Sequence, residues 1–296
     1  MGELGKIMTH LWFDREARAA TEFYLDIFKR SKLLSSTLLE NTPSGNVDSY
    51  TIKLEDHTFM LLSAGPYFKV NPSISFMINC DSDAEVRYYY DKLIVGGSTL
   101  MPLDQYDFSD LYAWVEDAFG VSWQIMLTKS TQSVKIRPAM MFVGSNCGKA
   151  DEAIHFYTEI FKNSKINSIS KYGDGFEPNT PKMINYADFI LEGQHFSIMD
   201  SAYEHAFQLS EAISFIINCK DQDEIDYYWD ALSAVPEAEQ CGWIKDRYGV
   251  SWQITPDIMN EMMASQDQAA LNRVTEAFLP MKKFDIETLI KAYKGV

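Results

Sequence analysis

Apolar positions in this chain switch between two periods, and the switching is written twice. Lys6 to Phe13 reads as a strand. Ala19, Ala20, Phe23, Tyr24 and Ile27 then recur at the three-and-four spacing of one helical face, which predicts a helix from Arg15 to Phe28. Strands follow at about Leu33–Glu40, Asp48–Leu54 and Thr58–Ser63, turned by the segment Asn41 to Asn46 and by Glu55-Asp56-His57. That is one βαβββ unit. The pattern restarts where Ile74, Phe76 and Ile78 alternate with Ser73, Ser75, Met77 and Asn79. Asp81 or Ser82 caps a helix to about Leu93, and Gly96-Gly97 ends it. Strands near Leu111–Glu116 and Val121–Leu127 close the second unit.

The same words return in the second half. Ser73 to Cys80 reappears as Ala212 to Cys219, Gly120 to Ile125 as Gly249 to Ile254, Tyr88 to Asp91 as Tyr227 to Asp230, and Phe23 to Lys29 as Phe156 to Lys162. The offsets lie between 129 (Trp123 to Trp252) and 139 (Phe76 to Phe215), too long for a solenoid repeat and suited to a duplicated domain. The second half accordingly predicts strands at Lys135–Val143, Ile213–Asn218 and Val250–Thr255, and helices at Asp151–Phe161 and Asp223–Leu232. The expected architecture is α+β: domains at 1–130 and 134–256, each of two βαβββ units, then a tail at 257–296 with no counterpart in the first half. The tail is expected to be helical at about Asp257–Ser265, Gln268–Leu279 and Asp285–Tyr293 and to pack on the body.

Composition narrows the function. At 296 residues and 46% hydrophobic, the chain can bury two ordinary cores. A net charge of −16 argues against nucleic acid or anionic membrane as partners. No apolar run approaches the roughly 20 residues of a membrane span, and Met1 to Asp14 lacks a basic-then-apolar leader pattern. Cys80 and Cys219 are equivalent, Cys147 and Cys241 fall outside the matched blocks, and no pair shows CxxC spacing. Free, mostly buried thiols in a reducing cytoplasm are the expectation.

Paired βαβββ units with Phe23-Tyr24 and Ile27-Phe28 after the first strand resemble the vicinal oxygen chelate superfamily, and within it the PhnB-like group, often labelled 3-demethylubiquinone-9 3-methyltransferase-like. The wording that carries this is Leu11-Trp12-Phe13-Asp14, Ile213 to Cys219, and above all Gln240 to Ile254; the stretch from Arg273 to Tyr293 also looks like the end of that group's sequences. The resemblance implies that paired units curl a mixed sheet into a cup, helices outside, with any chemistry inside the cup. It also implies a pseudo-dimer fused into one polypeptide, compatible with a further homodimer, in which units can swap between the halves.

Metal-dependent members of the superfamily use His or Glu on cup-facing positions of the first and last strands of each unit. Here those positions fall at about Met8 and Arg137, near Leu61, at Ser73 and Ala212, and at Gln124 and Gln253. Neither cup has a full ligand set, so no metal and no cofactor are expected. His10 shares a strand face with Met8 and Trp12 by period two, and Ala139 is its partner in the second half, so His10 is a candidate for the first cup only. His57 in a turn and His205 in a loop read as solvated; His195 follows the equivalent turn and His155 rides a helix. Asp200 reads as a surface-loop acid. The expected ligand-binding groups are His10, Trp12, Ser75, Met77 and Gln124 in the first cup, and Arg137, Met141, Ser214 and Gln253 in the second. Arg137 either holds a carboxylate or phosphate or caps the sheet edge in water. Trp123 and Trp252, on the opposite parity, are expected to pack against the helices.

Three functions compete. The first is a metal-independent protein binding a small, partly hydrophobic molecule. The second is a metal-dependent lyase, isomerase or dioxygenase working through His10 and unaligned acids. The third is the methyltransferase of the group label, for which no strand followed by a Gly-rich turn supplies an adenosyl cradle: Gly96-Gly97 ends a helix and Gly173-Asp174-Gly175 reads as a hairpin loop.

Overall fold

The structure, a computed structural model, describes residues 4–128, 134–265 and 267–296. The expected boundary near residue 130 lies outside the described residues. The first unit is β1 (Ile7–Phe13), α1 (Ala17–Ile27), β2 (Ser31–Thr42), β3 (Gly45–Leu54) and β4 (His57–Ser63); the second is β5 (Ile74–Cys80), α2 (Asp83–Leu93), β6 (Ser98–Tyr106), β7 (Ser109–Glu116) and β8 (Ser122–Leu127). The third is β9 (Ile136–Phe142), α3 (Ala150–Ile160), β10 (Ser164–Lys171), β11 (Ile184–Leu191) and β12 (Gln194–Asp200). The fourth has one strand fewer: β13 (Ile213–Cys219), α4 (Gln222–Leu232), β14 (Trp243–Lys245) and β15 (Ser251–Pro256). It lacks a counterpart of β6, and this is where the offset between the halves drops from 139 to 129. The tail forms α5 (Asp257–Met263), α6 (Gln268–Phe278) and α7 (Ile286–Lys294).

Local chemistry sets these elements. Ser82 accepts a hydrogen bond from the Glu85 amide at the start of α2, and Asp221 does the same for Glu224 in α4, satisfying amides that have no partner within the helix. In α1 the buried stripe is Ala17, Ala20, Thr21, Tyr24 and Ile27; Ala19 faces outward and Phe23 is half-buried.

The sheets do not follow the repeats. One sheet runs β14-β15-β13-β1-β4-β3-β2 and the other β10-β11-β12-β9-β5-β8-β7-β6. The first sheet therefore joins unit one to unit four, and the second joins unit two to unit three. The seams are antiparallel, β1 on β13 with His10 opposite Ser214, and β5 on β9 with Met77 opposite Arg137. Pairing across the seam gives the backbone groups of these central strands partners that an open edge would lack.

What binds the two units of a repeat together is the opposite, helix-side face. The Tyr24 hydroxyl of α1 donates to Asp117 at 2.8 Å, the Trp123 indole donates to the same carboxylate at 2.8 Å, and the Phe119 and Val121 amides complete four bonds. The second repeat copies this with Tyr157, Trp252, Tyr248 and Val250 on Asp246. Burial pushes both carboxyls up to about 6 against those four hydrogen bonds. Trp123 and Trp252 are fully buried in this core, as their parity predicts.

Candidate functional site

Each sheet curls so that the face away from the helices is concave. In the first sheet, cross-strand register brings Thr51, Met60, His10 and Ser214 side by side on β3, β4, β1 and β13. The next strand contributes Gln253, whose amide donates to the Ser214 hydroxyl at 2.9 Å. Between this face and the tail lies a cavity of about 290 Å³. Met259 and Met263 of α5 and Phe278 and Phe284 of the following segment form its roof.

The roof is anchored at both ends. The Thr37 hydroxyl donates to the Met263 carbonyl at 2.7 Å. The Cys241 and Gly242 amides donate to the Met281 and Lys282 carbonyls at 2.8 and 2.7 Å, so the tail supplies the neighbour that the missing strand would have been. Gly242 has φ +80, and a Cβ there would stand 2.5 Å from the Phe284 ring. Only glycine permits so close a crossing.

Among the described residues lining this cavity there is no Lys, Arg, Asp or Glu. His10 is 1% exposed, its Nδ1 has no hydrogen-bond partner, and burial drives its pKa down to about 3, so the imidazole is neutral at pH 7. The Trp243 ring meets it edge-on at 5.2 Å.

In the second cup the corresponding side chains are larger and bonded to one another. Arg137, 7% exposed, pairs with Asp188 at 2.8 Å and lies over the Tyr186 ring. Burial works to raise Asp188, yet His195, Arg137 and Asn167 together hold it below the usual carboxylate range. The Tyr112 hydroxyl donates to Gln124 Oε1 at 2.9 Å, and Gln124 Nε2 donates to Ser75 Oγ at 2.7 Å.

Register explains the contrast. Met8 occupies the place of Arg137, since each stands opposite the equivalent residue of the seam partner, Ile216 and Met77. Likewise Thr51 replaces Asp188, as each neighbours the strand residue (Met60, Ser197) beside His10 or Ala139. Two residues earlier on the same strands, Ser49 replaces Tyr186. At the offset of 129, Cys241 replaces Tyr112. Two tyrosines and an ion pair fill one cup; serine, cysteine, threonine and methionine leave the other hollow.

The structure regroups the predicted residues. Ser214 and Gln253 belong with His10 and Trp12, while Ser75, Met77 and Gln124 belong with Arg137 and Met141, because the units swap. His10 and Gln253 line the cavity. Trp12 stands beside it, its indole donating to the Gly65 carbonyl at 2.7 Å, and Ser214 lies fully buried under Gln253. Arg137 is buried, and its charge is paired with Asp188 rather than capping a sheet edge in water. His57 is not solvated: it opens β4, 1% exposed, bonded to the Thr9 hydroxyl at 2.7 Å. Nor is Asp200 a surface acid; 1% exposed, it accepts from the Gly148, Ala150 and Ile184 amides. His205 is half-buried against the Ser201 hydroxyl. Sequence reasoning missed Met60, Cys241 and the tail residues. The only sequence signal for the roof is the methionine cluster Met259, Met262 and Met263 in a segment with no repeat partner.

For a divalent metal the first cup offers one imidazole and one thiol among thioethers, hydroxyls and amides, without a carboxylate, and two such donors fall short of the three or four that a divalent ion takes from protein. Among the described residues no group of three or more His, Cys, Asp or Glu is placed to share one. The four cysteines are free, and no described helix is long and apolar enough to cross a membrane.

Tandem curled sheets with outer helices are the vicinal oxygen chelate fold. The chain belongs to the family described as 3-demethylubiquinone-9 3-methyltransferase, the PhnB-like group, which it matches over residues 5–126 and again over 134–255. It is similar to the PhnB protein of Bacillus cereus, at 32% identity over 41% of this chain and 98% of that one, with a TM-score of 0.39. Glyoxalase I of Zea mays shares the fold over most of the chain: 12% identity, 86% of this chain and 93% of that one, TM-score 0.55. No curated protein matches the chain.

Proposed function

We propose that this protein binds one small, partly hydrophobic molecule in the first cup, without a metal. The observation that carries the reading is the contrast between a hollow, roofed cup of about 290 Å³ and a homologous cup whose equivalent positions carry two tyrosines and an ion pair. Empty space in a protein interior forfeits contacts. The imidazole of His10 lines the cavity and makes no hydrogen bond of its own among the described residues, which leaves a neutral polar group for a ligand to satisfy. A metal-dependent lyase, isomerase or dioxygenase would need acids that the cup wall lacks. Among the described residues the methyltransferase description finds no adenosyl cradle, since Gly96-Gly97 follows α2 and Gly173 and Gly175 lie between β10 and β11.

The test copies one cup into the other. Across a broad panel of aromatic and hydrophobic metabolites, at least one is expected to raise the melting temperature of the wild type. The variants Ser49→Tyr and Cys241→Tyr, which install the residues that fill the second cup, are expected to abolish that shift while remaining folded. A panel with no responder sinks the reading. Elemental analysis finding about one metal per chain, lost on His10→Ala, would replace it with the enzyme.

A further inference from the structure

The chemistry of the cavity wall says more than its emptiness. A charged ligand entering it would shed its water without meeting a counter-ion, because the described lining carries no cation and no carboxylate. The polar groups present are neutral and nearly all lie on the sheet side, among them the His10 imidazole, the Thr51 and Ser35 hydroxyls and the Gln253 amide; the exception is Asn260 of α5, whose Nδ2 is taken up by Asn218 Oδ1 at 3.0 Å. The other side, built by Met259, Met263 and Phe278, is apolar and deformable. Among the described residues the Thr51 and Ser35 hydroxyls make no side-chain hydrogen bond, and Gln253 uses only its Nε2. In the second cup the corresponding amide oxygen is capped by Tyr112; here Cys241 leaves it uncapped.

Resting on the binding reading above, we propose that the first cup selects an uncharged, flat ligand of about two rings, carrying one hydroxyl or carbonyl that hydrogen-bonds at His10 and Gln253. Its ring face lies under the methionines and Phe278. The size follows from the volume, since 290 Å³ is about twice the ~150 Å³ that admits one benzene ring. The net charge of −16 adds a long-range bias against anions, and the absence of lining carboxylates removes any local anchor for cations.

Three probes of one shape separate these points: 2-naphthol, naphthalene and 2-naphthoate, titrated at pH 7.5 with tryptophan emission as the readout. 2-Naphthol is expected to bind, naphthalene about fivefold more weakly for want of one hydrogen bond, and 2-naphthoate at least tenfold more weakly. His10→Ala should erase the gap between 2-naphthol and naphthalene, and His10→Asn, which keeps a hydrogen-bonding head, should preserve most of it. If His10→Ala does not fold, Gln253→Leu takes its place with the same expectation. Naphthoate binding as tightly as naphthol overturns the choice of an uncharged ligand and leaves the binding reading standing. Equal binding of naphthol and naphthalene to the wild type overturns the hydrogen-bonding head alone. Failure of all three probes together with an unresponsive metabolite panel brings down both.

Discussion

Replacing His57 with glutamine is expected to make the protein less stable at neutral pH and more stable in acid. The imidazole is fully buried, bonded to Thr9 at 2.7 Å and packed on the Phe59 ring at 4.5 Å, and burial lowers its pKa from 6.5 to about 3. The folded state therefore refuses a proton that the unfolded chain accepts below pH 6.5. Stability conferred by the neutral ring is fully present above 6.5 and is lost as pH falls from there toward 3. At pH 4 the loss is about 2.5 pH units at 1.36 kcal/mol each, or about 3 kcal/mol. Glutamine does not titrate, so the variant lacks this loss. At pH 7 it forfeits the hydrogen bond and part of the packing, about 1–2 kcal/mol. The two stability curves should cross near pH 5. Urea unfolding at intervals from pH 4 to 7.5, followed by the emission of buried Trp123 and Trp252, measures the difference directly, free of every other titrating group. A constant offset across that range would show that His57 takes up its proton equally in both states, and the argument from burial would be wrong.

Arg137→Met alone strands the Asp188 carboxylate and should cost about 3 kcal/mol, whereas Arg137→Met with Asp188→Thr, which copies Met8 and Thr51, should recover at least 1 kcal/mol in the same assay. Asp246→Asn is expected to cost about 2–4 kcal/mol at pH 4 through its broken bonds to Tyr157, Trp252 and two amides. Because burial raises that carboxyl to about 6, the wild type loses stability as pH rises from about 4 through 6; the gap between variant and wild type should therefore narrow by about 3 kcal/mol by pH 7. A gap that widens would mean that the four hydrogen bonds outweigh burial and keep the carboxylate ionised.

How much of this was legible beforehand depends on the range over which each feature is decided. The strand of His10 and its parity with Met8 and Trp12 were readable, because side-chain direction along a strand alternates with a period set by the backbone itself. The cap at Asp81 or Ser82, which falls on Ser82, and the helix of Tyr24 were readable for the same local reason. His57 and Asp200 were misread because a histidine beside a turn looks exposed until β1 lays Thr9 against it, and an acid at a strand end looks solvated until three amides from other segments converge on it.

The duplication and the parity of β1, β5, β8 and β15 were properties of the chain alone, written in periods of two, of three to four, and of about 130. Which unit pairs with which was decided only in three dimensions, since β1 meets β13 across some 200 residues and no local preference distinguishes that partner from β5. So was the hollowness of one cup. It arises where Ser49, Thr51 and Cys241 leave space that Tyr186, Asp188 and Tyr112 fill in its twin, and where a tail without a repeat partner folds back as the roof. Volume belongs to a neighbourhood rather than to a residue, and those neighbours are assembled only when distant strands close into a sheet.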